Sequence, residues 1–117
     1  MKKVLIVDDD KQIRNFLNDI LKMSGYEVEC ASNGKEALRL LQCKKFDLLI
    51  TDNKMPKMDG LELTKSIKNM NIDIKIIIIS GEEIEKSFTE LGISEFFRKP
   101  LRYKNLLKSL ERLAQEK

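Results

Sequence analysis

The sequence predicts an α/β protein built on a doubly wound, five-stranded parallel sheet in the order 2-1-3-4-5. Three observations carry that prediction. Short β-branched and apolar runs alternate strictly with segments of helical periodicity along all 117 residues. One run, Ile74 to Ile79, is nearly all isoleucine, too short for a helix and branched enough for a strand buried on both faces. The runs also stop at polar residues, with Asp8 and Asp9 after the first and Asp52 after the third. Alternating units of this kind make a parallel sheet with right-handed crossovers and helices on both faces.

Each element follows from its residues. Lys3 to Val7 is the first strand and ends at Asp8-Asp9-Asp10, with Asp10 suited to cap the next helix. Ile13, Leu17, Ile20 and Leu21 share one face of that helix, which closes near Gly25. Tyr26 to Ala31 alternates as a half-buried strand. Ser32-Asn33-Gly34 starts a helix whose Ala37, Leu38 and Leu41 face inward. Phe46 to Thr51 is the third strand, and Leu63, Ile67 and Met70 mark the third helix. After Ile74 to Ile79, Ser80-Gly81 closes the fourth strand, and Ile84, Phe88 and Leu91 give a short fourth helix ending at Gly92. Ser94 to Arg98 is the last strand, Lys99-Pro100 a turn, and Leu106, Leu110 and Leu113 the inner face of a closing helix.

Composition narrows the function. At 42% hydrophobic and 35% charged, the chain has both the apolar content of a packed core and the charge of a water-facing surface. The isoleucine run is far too short to cross a bilayer, and the N-terminus has no long apolar segment, so neither membrane nor export is expected. A cytoplasmic location is the resulting expectation, with Cys30 and Cys43 as reduced packing residues. The net charge of +3 is scattered, and at 6% aromatic the chain offers little to nucleic acid. Histidine is absent, which removes imidazole bases, Ser-His-Asp triads and His-ligated zinc. Neither G-x-x-x-x-G-K-[ST] nor G-x-G-x-x-G occurs, against a nucleotide site.

In the predicted sheet, strands 1 and 3 are neighbours at the topological switch point, where ligands bind beyond the carboxyl ends of the strands. Asp8 and Asp9, Asp52, Ser80 and Lys99 therefore converge on one mouth. Two carboxylates about 4 Å apart repel by roughly 4 kcal/mol at an effective dielectric near 20, so three need a cation or protons. An all-oxygen set favours Mg²⁺ or Mn²⁺. A carboxylate beside such an ion can attack phosphorus and form an aspartyl phosphate, with Lys99 and the Ser80 hydroxyl neutralising and holding the phosphoryl group. Gly81 would let the backbone approach its oxygens. Taken singly, each residue has a plainer reading: the acids as a solvated turn, Ser80 as a strand end, Lys99 as a surface charge. Their joint placement at four strand ends carries the inference.

These landmarks, Val4-Leu5-Ile6-Val7-Asp8-Asp9-Asp10, Asp52 with Met55-Pro56 and Met58-Asp59-Gly60, Ser80-Gly81 and Lys99-Pro100, resemble the receiver domain of two-component response regulators over essentially the full length. The resemblance implies a flavodoxin-like (βα)5 fold of the single-domain chemotaxis or phosphorelay type. It implies Asp52 as phosphoacceptor, Mg²⁺ held by Asp9, Asp52 and the Lys54 main-chain carbonyl, and Asp8 assisting through water. Ser80, Lys99 and the backbone of Asn53 and Gly81 would bind the phosphoryl group. Ser80 and Phe96 would form the switch, with a core aromatic as the plainer reading of Phe96. The donor would be a histidine kinase or histidine phosphotransfer protein docking over Gln12, Ile13, Asn15, Phe16, Pro100 and Leu101. The resemblance also implies a cis Lys99-Pro100 bond, an unidentified downstream protein target and a monomer or weak dimer. Catalysis would be limited to the domain's own phosphorylation and slow dephosphorylation.

Three departures from the family pattern stand out. Lys54, two residues after the phosphoacceptor, is expected to lie over the phosphoryl group, pair with Glu82 and slow hydrolysis. The interval from Ser80 to Lys99 is about one helical turn short, so the fourth helix should be short or irregular. The chain also ends after the fifth helix, as a stand-alone receiver or a piece of a longer regulator. Two alternatives remain at this point. A phosphorylation-independent adaptor would be suggested by a missing Asp9 or Lys99, and an aspartyl-phosphate phosphatase of another α/β family would place an acid at position 54.

Overall fold

The computed structural model describes residues 2–81, 85–93 and 95–115. Five strands, β1 (Lys3–Val7), β2 (Glu27–Ala31), β3 (Leu48–Asp52), β4 (Lys75–Ser80) and β5 (Glu95–Arg98), alternate with five helices. These are α1 (Lys11–Met23), α2 (Gly34–Cys43), α3 (Gly60–Asn69), α4 (Glu85–Thr89) and α5 (Tyr103–Gln115). The strands pair in parallel in the order β2-β1-β3-β4-β5, as the alternation predicts.

The pleat sorts side chains onto two faces. Leu5, Val7, Leu49, Ile76 and Ile78 pack with Ala37 and Leu41 of α2, Leu63 and Ile67 of α3 and Phe88 of α4. Val4, Ile6, Leu48, Ile50, Ile77 and Ile79 pack with Leu17 and Leu21 of α1 and Leu106, Leu110 and Leu113 of α5. A fully buried Leu or Ile is worth roughly 1.5–3 kcal/mol, so both helical layers are fixed mainly by such residues. The central strands lack a polar face because both of their faces are covered.

The helix starts carry the expected chemistry. Asp10 caps α1 through the Gln12 N–H at 2.9 Å, and Asn33 caps α2 through Glu36 N–H at 2.9 Å. Asp59 and Glu62 form a reciprocal capping box on α3. Gly25 (φ 94°) and Gly92 (φ 84°) supply the left-handed turns after α1 and α4.

Several expectations shift. Pairing begins at Glu27, Leu48 and Lys75, one or two residues later than at Tyr26, Phe46 and Ile74, and it runs on to include Asp52 and Ser80. The register extends through the Asp52–Ile79 and Ser80–Arg98 partners, so both polar residues sit in the sheet itself. Met70 is not on the inner face of α3: it follows the helix as its C-cap, 45% exposed, because the chain turns away there through Asn71 at φ 55°. Cys43 is exposed at the end of α2 and does not pack, whereas Cys30 is half-buried; both are free thiols. The described part of α4, Glu85–Thr89, is five residues long, and residues 82–84 before it lie outside the described residues. Ile84, Ser94 and Glu82 lie outside the described residues. The Lys99-Pro100 peptide is cis.

The loop after β3 is tightly built. Lys57 adopts φ 69° in a turn closed by the Met58 N–H on the Pro56 carbonyl at 2.8 Å. At the loop's neck, Gly60 N–H donates to the Asn53 carbonyl at 2.7 Å, and Leu61 N–H to the Asn53 side-chain oxygen at 3.2 Å. Gly60 is required by this approach, since a Cβ there would lie 2.7 Å from the Asp52 carbonyl oxygen. Gly60→Ala is therefore expected to lower unfolding stability by about 1–3 kcal/mol, the cost of overpacking. Gly81→Ala, with nothing within 4 Å of a Cβ, should stay within about 0.5 kcal/mol. Urea denaturation of the two variants measures the contrast.

Candidate functional site

The level register of the parallel strands brings their C-terminal ends to one edge. Asp8 follows β1 and is 3% exposed, Asp52 ends β3 at 7%, and Ser80 ends β4 at 5%. Lys99 follows β5, its N–H donating to the Ser80 carbonyl at 2.9 Å. The Lys99 Nζ lies 3.2 Å from Asp52 Oδ2 and 3.8 Å from Asp8 Oδ2. One carboxylate oxygen from each of Asp8, Asp9 and Asp52 falls within 4.8 Å of the others, with Asp9 on the open side. Asp8, Asp9, Asp52 and Lys99 thus meet as expected, and Ser80 joins them at the same edge through its backbone carbonyl.

One hydrogen bond holds the Asp8 carboxylate and another the main chain of Asp52. Asp8 Oδ1 accepts the Asp10 N–H at 2.9 Å, while the buried Thr51 hydroxyl donates to the Asp52 carbonyl at 2.9 Å. Burial pushes the Asp8 carboxyl above the usual range; the Asp10 N–H opposes this, and the neighbouring Asp52 charge adds to it. One lysine faces two buried carboxylates and a third that is exposed, leaving excess negative charge. The donors are all hard oxygens, and the side of the cluster formed by Asp9 is open to solvent, so the set fits a small divalent ion that retains waters.

The remaining predicted residues divide. Asn53 is half-buried and ties the loop through its two oxygens, and Gly81 is exposed with open space over its Cα. The Lys54 side chain is exposed on the rim, while its expected partner Glu82 lies outside the described residues. Phe96 is half-buried and meets Phe88 edge-on, with ring centroids 6.1 Å apart, which places it against the α4 side of the core. Of the docking residues, Ile13, Phe16, Pro100 and Leu101 line one apolar groove of about 220 Å³ beside Lys99. Gln12 and Asn15 are exposed on α1 and do not line it. Phe16 is 49% exposed and touches Tyr103 edge-on at 6.2 Å.

Sequence reasoning missed Arg14, whose Nη1 donates to the Asp8 main-chain carbonyl at 2.6 Å. The available signal was a cation beside Ile13, next to the apolar stripe of α1.

Neutralising Asp8 should relieve the ion-free protein. The raised folded-state pKa means the charged form costs stability near neutral pH, and this cost disappears as pH falls through that pKa. Asp8→Asn is expected to melt a few degrees above the parent at pH 7 in EDTA, with the gap shrinking toward pH 4. The same variant should lose most of any rise in melting temperature on adding Mg²⁺. Calorimetric melts with and without the ion check both statements.

Comparison with known proteins agrees with this geometry. Residues 4–111 match the response regulator receiver domain family. The chain is 37% identical over 102 residues to the alkaline phosphatase synthesis transcriptional regulatory protein PhoP of Bacillus subtilis, covering 85% of this chain and 42% of PhoP. It thus spans under half of that regulator's length. Sporulation initiation phosphotransferase F of the same organism is 38% identical over 102 residues, covering 85% of this chain and 82% of its own. Among solved structures, response regulator TrrA of Thermotoga maritima, in complex with Mg(2+)-BeF, superposes with a TM-score of 0.87 at 33% identity, covering 97% of this chain and 99% of TrrA. Among the described residues no helix is long and apolar enough to cross a membrane. With a family match across nearly the whole chain and the acidic mouth in place, the chain belongs to the response regulator receiver domain family.

Proposed function

We propose that Asp52 accepts a phosphoryl group from a phosphohistidine on a histidine kinase or phosphotransfer protein, and that the resulting aspartyl phosphate signals to a protein partner. The observation that carries this reading is the placement of Asp52 Oδ2 at 3.2 Å from Lys99 Nζ, inside a cluster with Asp8 and Asp9. An Asp52 carboxylate oxygen forms the new O–P bond as the P–N bond breaks, and the electron pair leaves on the imidazole nitrogen, which takes up a proton. Lys99 would neutralise phosphoryl oxygens, and Ser80 with the backbone of Asn53 and Gly81 would bind them.

Asp9, Asp52 and the Lys54 carbonyl would hold Mg²⁺ or Mn²⁺, with Asp8 acting through water; the ion supplies neutralisation of charge between carboxylate and phosphoryl oxygens. The Mg(2+)-BeF complex of TrrA supports the choice of ion. Catalysis is confined to the domain's own phosphorylation and dephosphorylation. Ser80 and Phe96 are the proposed switch pair. Two free thiols fit a cytoplasmic setting.

Incubation with Mg²⁺ and acetyl phosphate should add one phosphoryl group by intact mass, and none to Asp52→Asn. An unmodified parent, as a phosphorylation-independent adaptor would give, or undiminished labelling of Asp52→Asn would overturn the reading.

The phosphohistidine donor would dock on the apolar groove lined by Phe16, Leu101 and Lys99, the last of which lies 3.2 Å from Asp52. Phe16→Ala should slow transfer from a phosphorylated histidine phosphotransfer protein by about tenfold, or ~1.4 kcal/mol, while acetyl phosphate labels it as fast as the parent. Equal slowing with both donors would exclude a docking role.

A further inference from the structure

The acidic mouth is braced from behind by a side chain that does not reach it. The backbone bond from the Asp8 N–H to the Ala31 carbonyl, 3.2 Å long, carries the β1–β2 ladder one step past the strands. In a parallel ladder the carbonyl of that residue would turn to the same neighbour and accept from the residue two further on. β2 has ended by then, because Asn33 serves as the N-cap of α2. The Asp8 carbonyl takes its bond from Arg14 Nη1 at 2.6 Å instead, a half-buried guanidinium in the first turn of α1. Among the described residues Arg14 makes no ion pair, so its side chain is committed to this carbonyl.

A pinned carbonyl fixes the Asp8–Asp9 peptide plane, since the peptide unit is rigid. That plane sets where Asp9 begins. Asp8 has its own anchors in the Asp10 N–H and Lys99. The Asp9 carboxylate has no hydrogen bond or ion pair among the described residues, so its direction toward Asp52 is left to the backbone.

We propose that Arg14 is a positioning residue for the divalent-ion site, orienting Asp9 through the Asp8–Asp9 peptide. The proposal rests on the reading of this mouth as an Mg²⁺ site. Titration calorimetry with Mg²⁺ alone, alongside melting in EDTA, tests it on Arg14→Lys, Arg14→Gln and Arg14→Met. Affinity should follow the reach of the donor: Arg14→Lys close to the parent, Arg14→Gln weaker, and Arg14→Met weaker by about tenfold or more. Ion-free melting temperatures should not follow that order. Should Arg14→Met fail to fold, the difference between Lys and Gln carries the same test. A parent that binds Mg²⁺ together with equal affinities across the folded variants would overturn the role of Arg14 alone. A parent that does not bind Mg²⁺ would overturn the reading of the site and this inference with it.

Discussion

The repulsion among Asp8, Asp9 and Asp52 is the interaction on which the rest of this structure depends. Two of the three are almost fully buried, and their oxygens lie within 4.8 Å of one another and of Asp9. At such distances each like-charged pair costs on the order of 4 kcal/mol at an effective dielectric near 20, comparable to a large fraction of a small domain's stability. Only a rigid frame can hold them there. Lys99 offsets part of the cost from one side, and the remainder is a standing affinity for positive charge.

That frame is the pair of apolar layers on the sheet. Because β1, β3 and β4 are buried on both faces, a slip in register would exchange the side chains packed on α1 and α5 with those packed on α2, α3 and α4 and misfit both layers at once. The register that protects the core also sets Asp52 level with Ile79, and Ser80 level with Arg98. Core packing and site geometry are therefore one constraint. The loop after β3 adds a second, with Gly60 pressed against the Asp52 carbonyl and Asn53 closing the neck.

Period and strand-end chemistry were enough to read the strand order, the two layers and the converging Asp8, Asp9, Asp52, Ser80 and Lys99, because each is written in local residue types. What could not be read depends on side-chain reach. Arg14 looks like any helix cation until its guanidinium is seen on the Asp8 carbonyl. Met70 continues the apolar stripe of α3 in sequence, yet the turn at Asn71 carries it into solvent. Gln12 and Asn15 share a helix with Phe16 but not its groove, since only Ile13, Phe16 and Leu17 of α1 face the Pro100 segment.

The crossover between β4 and β5 shows how the fold carries Lys99 to the site. Among the described residues of this crossover, Phe88 of α4 is fully buried and Ile93 nearly so, and together they anchor it to the core. Beyond it, β5 still pairs with β4, and the Lys99 N–H still meets the Ser80 carbonyl at 2.9 Å. That anchoring keeps β5 in register and the Lys99 ammonium 3.2 Å from Asp52 Oδ2. Phe96, meeting Phe88 edge-on, lies where α4 and β5 meet. Contact between the two rings thus ties this crossover to the strand that leads to Lys99.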